Sequence, residues 1–257
     1  MGAVARSVRV AVRPLMEGEV ALDAGASHYL IRVHRLRRGA RFVAFDPLSA
    51  TEADGVLLDE QPNKARCRLS ALRPARLAGR LGATLIQSIG KADKLDQVVR
   101  DATALGVECI VVVETERAVV RLGQRSAARL ERWKKIAVEA ARQSGRGDLP
   151  EIRGPLRLEL ALAECTALFK ICLDPASDQV LGGVLENWTA PEPIALLVGP
   201  EGGFSDSELE LAARSGFCKA RFGRFVLRTE TVAAAVLGTL VARADLELPS
   251  AAHGEER

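Results

Sequence analysis

The chain is poor in the residues that metal and disulfide chemistry require. Of its 257 residues, five are cysteine and three are histidine. Cys67, Cys109, Cys165, Cys172 and Cys218 form no CxxC pair, and His28, His34 and His253 stand in no cluster with them. No zinc-ligand spacing occurs, so no metal is expected. An odd number of dispersed cysteines reads as reduced thiols in a reducing compartment. Aromatic residues are scarce too, at 4%, and Tyr29 is the only tyrosine. Stacking platforms for bases are therefore few, and nucleic-acid recognition would lean on phosphates and shape. No apolar run approaches the roughly 20 residues of a membrane span. The N-terminus, MGAVARSVRV, has no apolar signal core. A cytoplasmic protein without membrane contact is the expectation. Neither GxxxxGK[ST] nor GxGxxG occurs, which argues against P-loop and Rossmann nucleotide chemistry.

What is present is the material of a folded protein. Hydrophobic residues make up 48% and charged residues 27%, a globular balance that excludes a disordered or collagenous chain. The length fits one large or two small domains. The net charge of +3 hides an asymmetry. Residues 1–80 hold 14 Lys and Arg against 8 Asp and Glu, while the remainder is mildly acidic. Only Lys64 among those 14 is lysine. Arginine makes bidentate contacts to phosphate and stacks on bases, so RNA is a natural partner for this end. The chain prefers arginine throughout, 29 to 7. That preference accounts for the residue type but not for the local excess.

The texture of the sequence changes near residue 80. Val8, Val10 and Val12 alternate, and Arg41 to Asp46, Gly55 to Leu58 and Ala65 to Leu69 read as further short strands. This spacing predicts a small barrel over residues 1–75, with one helix from His28 to Leu36 capped by Ser27. The stretch Arg73 to Gly82, with Pro74 and two glycines, reads as a connection, residues 76–82 being the linker proper. Strands and helices alternate from residue 83 to 248. Strands are expected at 83–88, 109–113, 168–173 and 194–198, and helices at 93–105, 126–145, 206–215 and 231–244. Such alternation predicts an α/β domain with a parallel sheet and ligand sites at strand C-termini. The polar tail, 249–257, is expected to fray.

Two stretches stand out chemically. In Leu196-Leu197-Val198-Gly199-Pro200-Glu201-Gly202-Gly203-Phe204-Ser205 a buried strand runs into a glycine-rich turn, and Ser205 with Glu208 forms a capping box for the next helix. A tight strand-to-helix turn would explain the glycines without any ligand. Glu201 at its mouth disfavours an anionic ligand and suits a cationic or neutral one. In Phe222-Gly223-Arg224-Phe225-Val226-Leu227-Arg228-Thr229-Glu230-Thr231, a threonine cap and Glu230 suit a helix N-terminus. Arg228 does not, because a cation is unfavourable there. Its placement marks it as a functional candidate.

These stretches, GPEGGFS with Glu208 and then VLRTET, resemble the two signatures of the ribosomal RNA small-subunit methyltransferase E family. The resemblance extends along the chain through His28 with Arg32-Val33-His34-Arg35, Lys91 to Asp96, Leu105-Gly106-Val107, Glu116-Arg117 with Val119-Val120, and Trp133 to Ile152. Departures stand at His34, Asp101, Ala104 and Phe225, the last replacing an arginine of the family pattern.

The resemblance implies an α/β fold with an N-terminal PUA-like, RNA-binding β-barrel and a C-terminal SPOUT methyltransferase domain with a trefoil knot. It implies a homodimer that uses S-adenosyl-L-methionine to methylate uridine N3 in 16S rRNA, within the 30S subunit. On this resemblance the cofactor site comprises Leu173, Val198, Gly199, Pro200, Glu201, Gly202, Gly203, Phe222, Gly223, Val226, Leu227, Arg228 and Thr229. Loss of the N3 proton develops negative charge on the uracil, which a nearby cation would stabilise. Arg228 is the candidate, or Arg142 or Arg146 from a second subunit. Glu201 would orient the ligand or accept the proton, or hold the turn structurally. RNA contacts are expected from His28, Arg32, Arg35, Lys91, Lys94, Arg117, Arg142, Gln143 and Arg146, with a solvated helix face the alternative for the first three. Rival readings are a SPOUT enzyme for another RNA nucleotide and a non-catalytic RNA-binding assembly factor.

Overall fold

A computed structural model describes residues 7–79, 81–90, 94–118 and 126–247. Lys91, Val119, Val120 and the tail at 249–257 lie outside them. The chain divides into two compact units. The first takes the residues up to Ala78 together with Val138–Leu149, and the second takes Gly79–Ala137 together with the chain from Pro150 on. A segment from mid-chain thus joins the N-terminal unit.

The first unit contains β1 (Arg9–Ala11), β2 (Gly18–Ala21), α1 (Ala24–His28), β3 (Arg41–Asp46), β4 (Thr51–Leu57) and β5 (Arg66–Pro74). Its sheet runs β1-β3-β4-β5-β2. β1 pairs parallel with β3, and the other pairs are antiparallel. The sheet is open as paired, with β1 and β2 at its edges, where the strand spacing had suggested a barrel. Strand alternation sends Val10, Phe42, Ala44, Leu57, Cys67 and Leu69 into one core, closed by Leu30. Gly55 sits opposite Phe42. A Cβ there would lie 2.5 Å from the Phe42 ring, so the aromatic ring takes the space that a side chain would fill.

The single helix expected from His28 to Leu36 is different in the structure. α1 starts earlier, and its cap is Asp23, whose Oδ1 accepts the Ala26 N–H at 2.7 Å. Ser27 is buried, donating to the Asp23 carbonyl and accepting the Ala65 N–H. Tyr29–Val33 then widens into a π-helical turn. Arg35 lies beyond it with φ of 55°. His28, Arg32 and Arg35 therefore do not form one helical stripe.

The second unit contains β6 (Ala83–Ser88), α2 (Lys94–Ala104), β7 (Cys109–Glu114), α3 (Ser126–Ser144, whose last turns belong to the first unit), β8 (Glu151–Arg157), α4 (Leu158–Ala163), β9 (Phe169–Leu173), α5 (Leu181–Val184), β10 (Ile194–Val198), α6 (Asp206–Arg214), β11 (Cys218–Ala220) and α7 (Thr229–Glu247). Its six-stranded sheet runs β11-β9-β10-β6-β7-β8 and every pair is parallel. β10 is buried along its whole length, as an apolar strand covered on both faces should be. Trp133 is buried, and its indole N–H donates to Asp96 Oδ1 at 3.1 Å. Arg132 Nε donates to the other oxygen at 2.8 Å, so one carboxylate ties α3 to α2. No helix among the described residues is long and apolar enough to cross a membrane.

Candidate functional site

The C-terminal ends of β9, β10 and β11 open into a cavity of about 820 Å³, the crevice where parallel α/β sheets place ligands. Leu173, Asp174 and Pro175 enter from the end of β9, Val198 to Glu201 from the end of β10, and Ala220 to Thr229 from the segment joining β11 to α7. The volume lies within the roughly 300–1,000 Å³ of small-molecule sites.

The turn after β10 is held from several sides. A Cβ at Gly199 would lie 3.1 Å from the Phe204 ring, so the backbone there closes against an aromatic. Gly203 N donates to the Pro200 carbonyl at 2.9 Å and completes the turn. Ser205 caps α6, and Glu208 returns the bond by accepting the Ser205 N–H at 2.8 Å. The second Glu208 oxygen accepts the Glu116 N–H, also at 2.8 Å. Next to Glu116, Arg117 donates to the Gly202 carbonyl at 3.3 Å. One buried carboxylate thus links the glycine turn to the segment after β7. Thr229 Oγ1 donates to the Gly199 carbonyl at 3.1 Å, which joins the two signature stretches directly.

The charges at the cavity are paired in part. Lys94, the first residue of α2, holds its ammonium 3.0 Å from Glu201 Oε1 and 3.4 Å from Glu230 Oε2. Its pKa rises above the ordinary lysine value, chiefly through the hydrogen bond to Glu201. Arg228 is exposed, and its carbonyl accepts the Thr231 and Val232 N–H groups at the start of α7. The residue therefore sits at the N-terminus of α7, the positive end of the helix dipole, which disfavours a cation. Phe225 is 84% exposed, the one exposed aromatic of the described residues. Cys172, behind the cavity wall at Leu173, is buried, and burial pushes its thiol up to about 12, so it stays neutral and unreactive.

The structure brings most of the residues expected at a cofactor site together. Leu173, Val198–Glu201, Gly203, Phe222, Gly223 and Val226–Thr229 all line this cavity. Gly202 is not a wall residue, and it contributes through its carbonyl to Arg117. Lys94 and Arg117, expected as RNA contacts, line the cavity as well. The other expected RNA contacts within the described residues lie in the first unit. His28 and Arg32 are exposed there. Arg142 lies 3.4 Å above the Tyr29 ring centroid, and Gln143 borders a second cavity beside it. Arg146 is buried and bidentate to Asp148, at 2.8 and 2.9 Å. Its fork is engaged within the protein, unlike the RNA contact expected of it. Sequence reasoning missed Ala176, Phe204, Leu209, Ala220, Arg221 and Val232 as wall residues. β11 is three residues long and carries no periodic signal, so Ala220 and Arg221 had nothing to mark them. Among the described residues, no group of three or more His, Cys, Asp or Glu is placed to hold a metal ion.

The chain is similar to known proteins in sequence and in fold. The RNA methyltransferase domain family matches residues 79–241. The ribosomal RNA small subunit methyltransferase E of Synechocystis is 31% identical over 238 residues, covering 90% of this chain and 75% of that protein. The protein of the same name from Bacillus subtilis is 23% identical over 211 residues, covering 79% and 82%. The structure of ribosomal RNA small subunit methyltransferase E from Neisseria gonorrhoeae, bound to S-adenosyl methionine, matches with a TM-score of 0.82 at 27% identity, over 92% of this chain and 98% of that one. The Legionella pneumophila protein Lpg2936, solved with the bound cofactor SAM, matches with a TM-score of 0.84 at 29% identity, again over 92% and 98%.

Proposed function

The chain belongs to the ribosomal RNA small subunit methyltransferase E family, and from that premise we propose that it transfers a methyl group from S-adenosyl-L-methionine to uridine N3 of 16S rRNA. The observation that carries this reading is the 820 Å³ cavity, where both signature stretches meet at the ends of three parallel strands. The residues present fit the cofactor. Leu173, Val198 and Leu227 offer apolar wall for an adenine, and the turns at Gly199 and Gly223 let backbone come close to a ligand. Carboxylates at Glu201 and Asp174 suit a cation. When bound, S-adenosylmethionine supplies an electrophilic methyl group.

The protein's own part is orientation and charge. Arg228 is exposed and lines the cavity, and we assign it to the uracil carbonyls, where charge develops as N3 loses its proton. Glu201 is engaged by Lys94, and we assign it to orienting the ligand. Thr229 keeps the two loops in register through Gly199. The finer fold reading is a SPOUT domain with a trefoil knot and a PUA-like, RNA-binding N-terminal unit. Its support is the non-sequential strand order and the basic N-terminal third. A cytoplasmic homodimer acting on the 30S subunit completes the proposal.

The test is calorimetric titration of S-adenosylmethionine into the protein, followed by transfer of labelled methyl to small-subunit rRNA and mapping of the modified nucleotide. Saturable binding and a single N3-methyluridine are expected. Absence of binding, with or without rRNA, refutes the reading and leaves an RNA-binding protein. A product on another nucleotide refutes the uridine assignment alone.

A further inference from the structure

The first unit holds a second cavity, of about 410 Å³, that the methyl-transfer chemistry does not use. Four guanidinium groups border it, those of Arg9, Arg73, Arg76 and Arg142, against the carboxylates of Glu52 and Asp54. Glu52 is 1% exposed and is shared by three of them, at 3.0 Å from Arg9, 3.1 Å from Arg73 and 3.6 Å from Arg76. The bulge in β4 between Glu52 and Asp54 sets Arg73 beside both carboxylates. One buried carboxylate thus gathers three arginines, and Arg142 is paired with Glu139. Four arginines face the three carboxylates of Glu52, Asp54 and Glu139, which leaves the cavity an excess of one positive charge.

Some of those donors have nothing to donate to. Arg9 Nε and Nη2 and Arg142 Nε are buried and have no hydrogen-bond partner among the described residues. A buried charged donor without an acceptor carries its full desolvation penalty. A ligand bearing several anionic oxygens would remove it, and the planar guanidinium fork matches phosphate. The aromatic at the site argues against a base. Arg142 covers one face of Tyr29, and the His34 ring meets it edge-on at 4.4 Å. That ring positions a cation and leaves little surface for stacking.

We propose that this cavity is a phosphate subsite that takes one backbone phosphate of the RNA strand. The proposal rests on the reading of the chain as an RNA methyltransferase and adds where the strand is gripped. Its test is the salt dependence of binding for a fluorescein-labelled oligonucleotide copied from small-subunit rRNA. Each phosphate neutralised contributes about 0.7 to the slope of log affinity against log salt for a single strand. Arg142→Gln is expected to flatten the slope by about that amount, and the exposed Arg76→Gln to flatten it in the same direction. Arg68→Gln, an exposed arginine paired with Glu19 and not bordering the cavity, is expected to leave the slope unchanged. Thermal unfolding and S-adenosylmethionine affinity measured in parallel separate a folding defect or a failed methyltransferase reading from a failed subsite.

An unchanged slope in both cavity variants, or an equal loss in Arg68→Gln, overturns the proposal. A parallel titration with inorganic phosphate identifies the carrier. Saturation by free phosphate that Arg142→Gln abolishes, with RNA binding unaffected, overturns the RNA strand as the source. Weak phosphate binding with a flattened RNA slope supports it. If the wild-type protein binds no RNA, the strand proposal falls together with the methyltransferase reading, and intact S-adenosylmethionine binding shows which part failed.

Discussion

Removing the carboxylate of Glu208 should unfasten the glycine turn from the rest of the second unit. The side chain is buried, and its two oxygens each accept a backbone N–H at 2.8 Å, one from Ser205 and one from Glu116. Hydrogen bonds to a charged group contribute about 1.5–3 kcal/mol each, and truncation leaves both donors unsatisfied. Glu208→Ala should therefore cost about 3 kcal/mol or more, a fall of about 6–12 °C in the melting temperature of a chain of this size. Glu208→Gln keeps one accepting oxygen and turns an amide toward the other donor, so about half of that loss is expected.

The assay is chemical denaturation followed by tryptophan fluorescence. Trp133 and Trp188 are the only tryptophans, both are buried, and both lie in the second unit. The signal therefore reports the unit that contains the bond. S-adenosylmethionine affinity should fall as well, because the Glu116 bond positions Arg117 against Gly202. A Glu208→Ala protein within about 1 kcal/mol of wild type would refute the reasoning. It would mean that water replaces the carboxylate at both donors and that the turn stands without it.

Other substitutions probe separate parts of the argument. Arg228→Ala should lower turnover by about 10²–10³, the usual cost of removing one donor to developing charge. Its unfolding curve should match wild type, because the side chain is exposed, and wild-type turnover would remove Arg228 from the mechanism. Gly55→Ala pushes a Cβ to 2.5 Å from the buried Phe42 ring, and thermal unfolding of the first unit should show a loss of about 1–3 kcal/mol. Raised lysine pKa at Lys94 means that the clasp to Glu201 is fully formed below about 10.5 and is lost as pH climbs through the higher folded value. The stability difference between wild type and Lys94→Met should then stay flat from neutral pH to about 10 and shrink above it. A difference that changes near neutrality would contradict the assignment. Burial pushes the thiols of Cys67 and Cys172 up to about 12. A thiol reagent should label exposed Cys218 in the native protein and reach those two only on unfolding.

The parts of this protein that read clearly from sequence are those whose signal is contained within a few residues. β10 is a run of five apolar residues and lies where the run lies. The capping box is spelled by Ser205 and Glu208 three positions apart, and both halves form. α1 shows where local reading slips. Ser27 and Asp23 are both good caps, and Asp23 takes the role because Ser27 is drawn inward to bond Ala65, 38 positions away. Tertiary demand overrode an equal local choice. β8 and α4 escaped notice because Arg153, Gly154 and Pro155 interrupt the strand pattern, although β7 pairs along the segment regardless.

The same distinction governs the site. The cavity walls were legible because each wall is a strand end followed by a marked turn. The role of Lys94 was not, because it depends on Glu201 and Glu230, more than a hundred positions further on. From sequence, a lysine beside a strand end is a phosphate contact. In the fold its ammonium stands between two carboxylates, and those carboxylates flank the residues that both signature stretches contribute. A lysine held in this way shapes the pocket rather than gripping a strand. Phosphate contacts would then fall to other cations, and Arg9 and Arg142 of the first unit have buried donors with no hydrogen-bond partner among the described residues. Lys94→Met should accordingly raise the dissociation constant for S-adenosylmethionine while leaving the salt slope for RNA within about 0.3 of wild type, less than half of one phosphate contact. A slope lowered by a full contact would return Lys94 to the RNA.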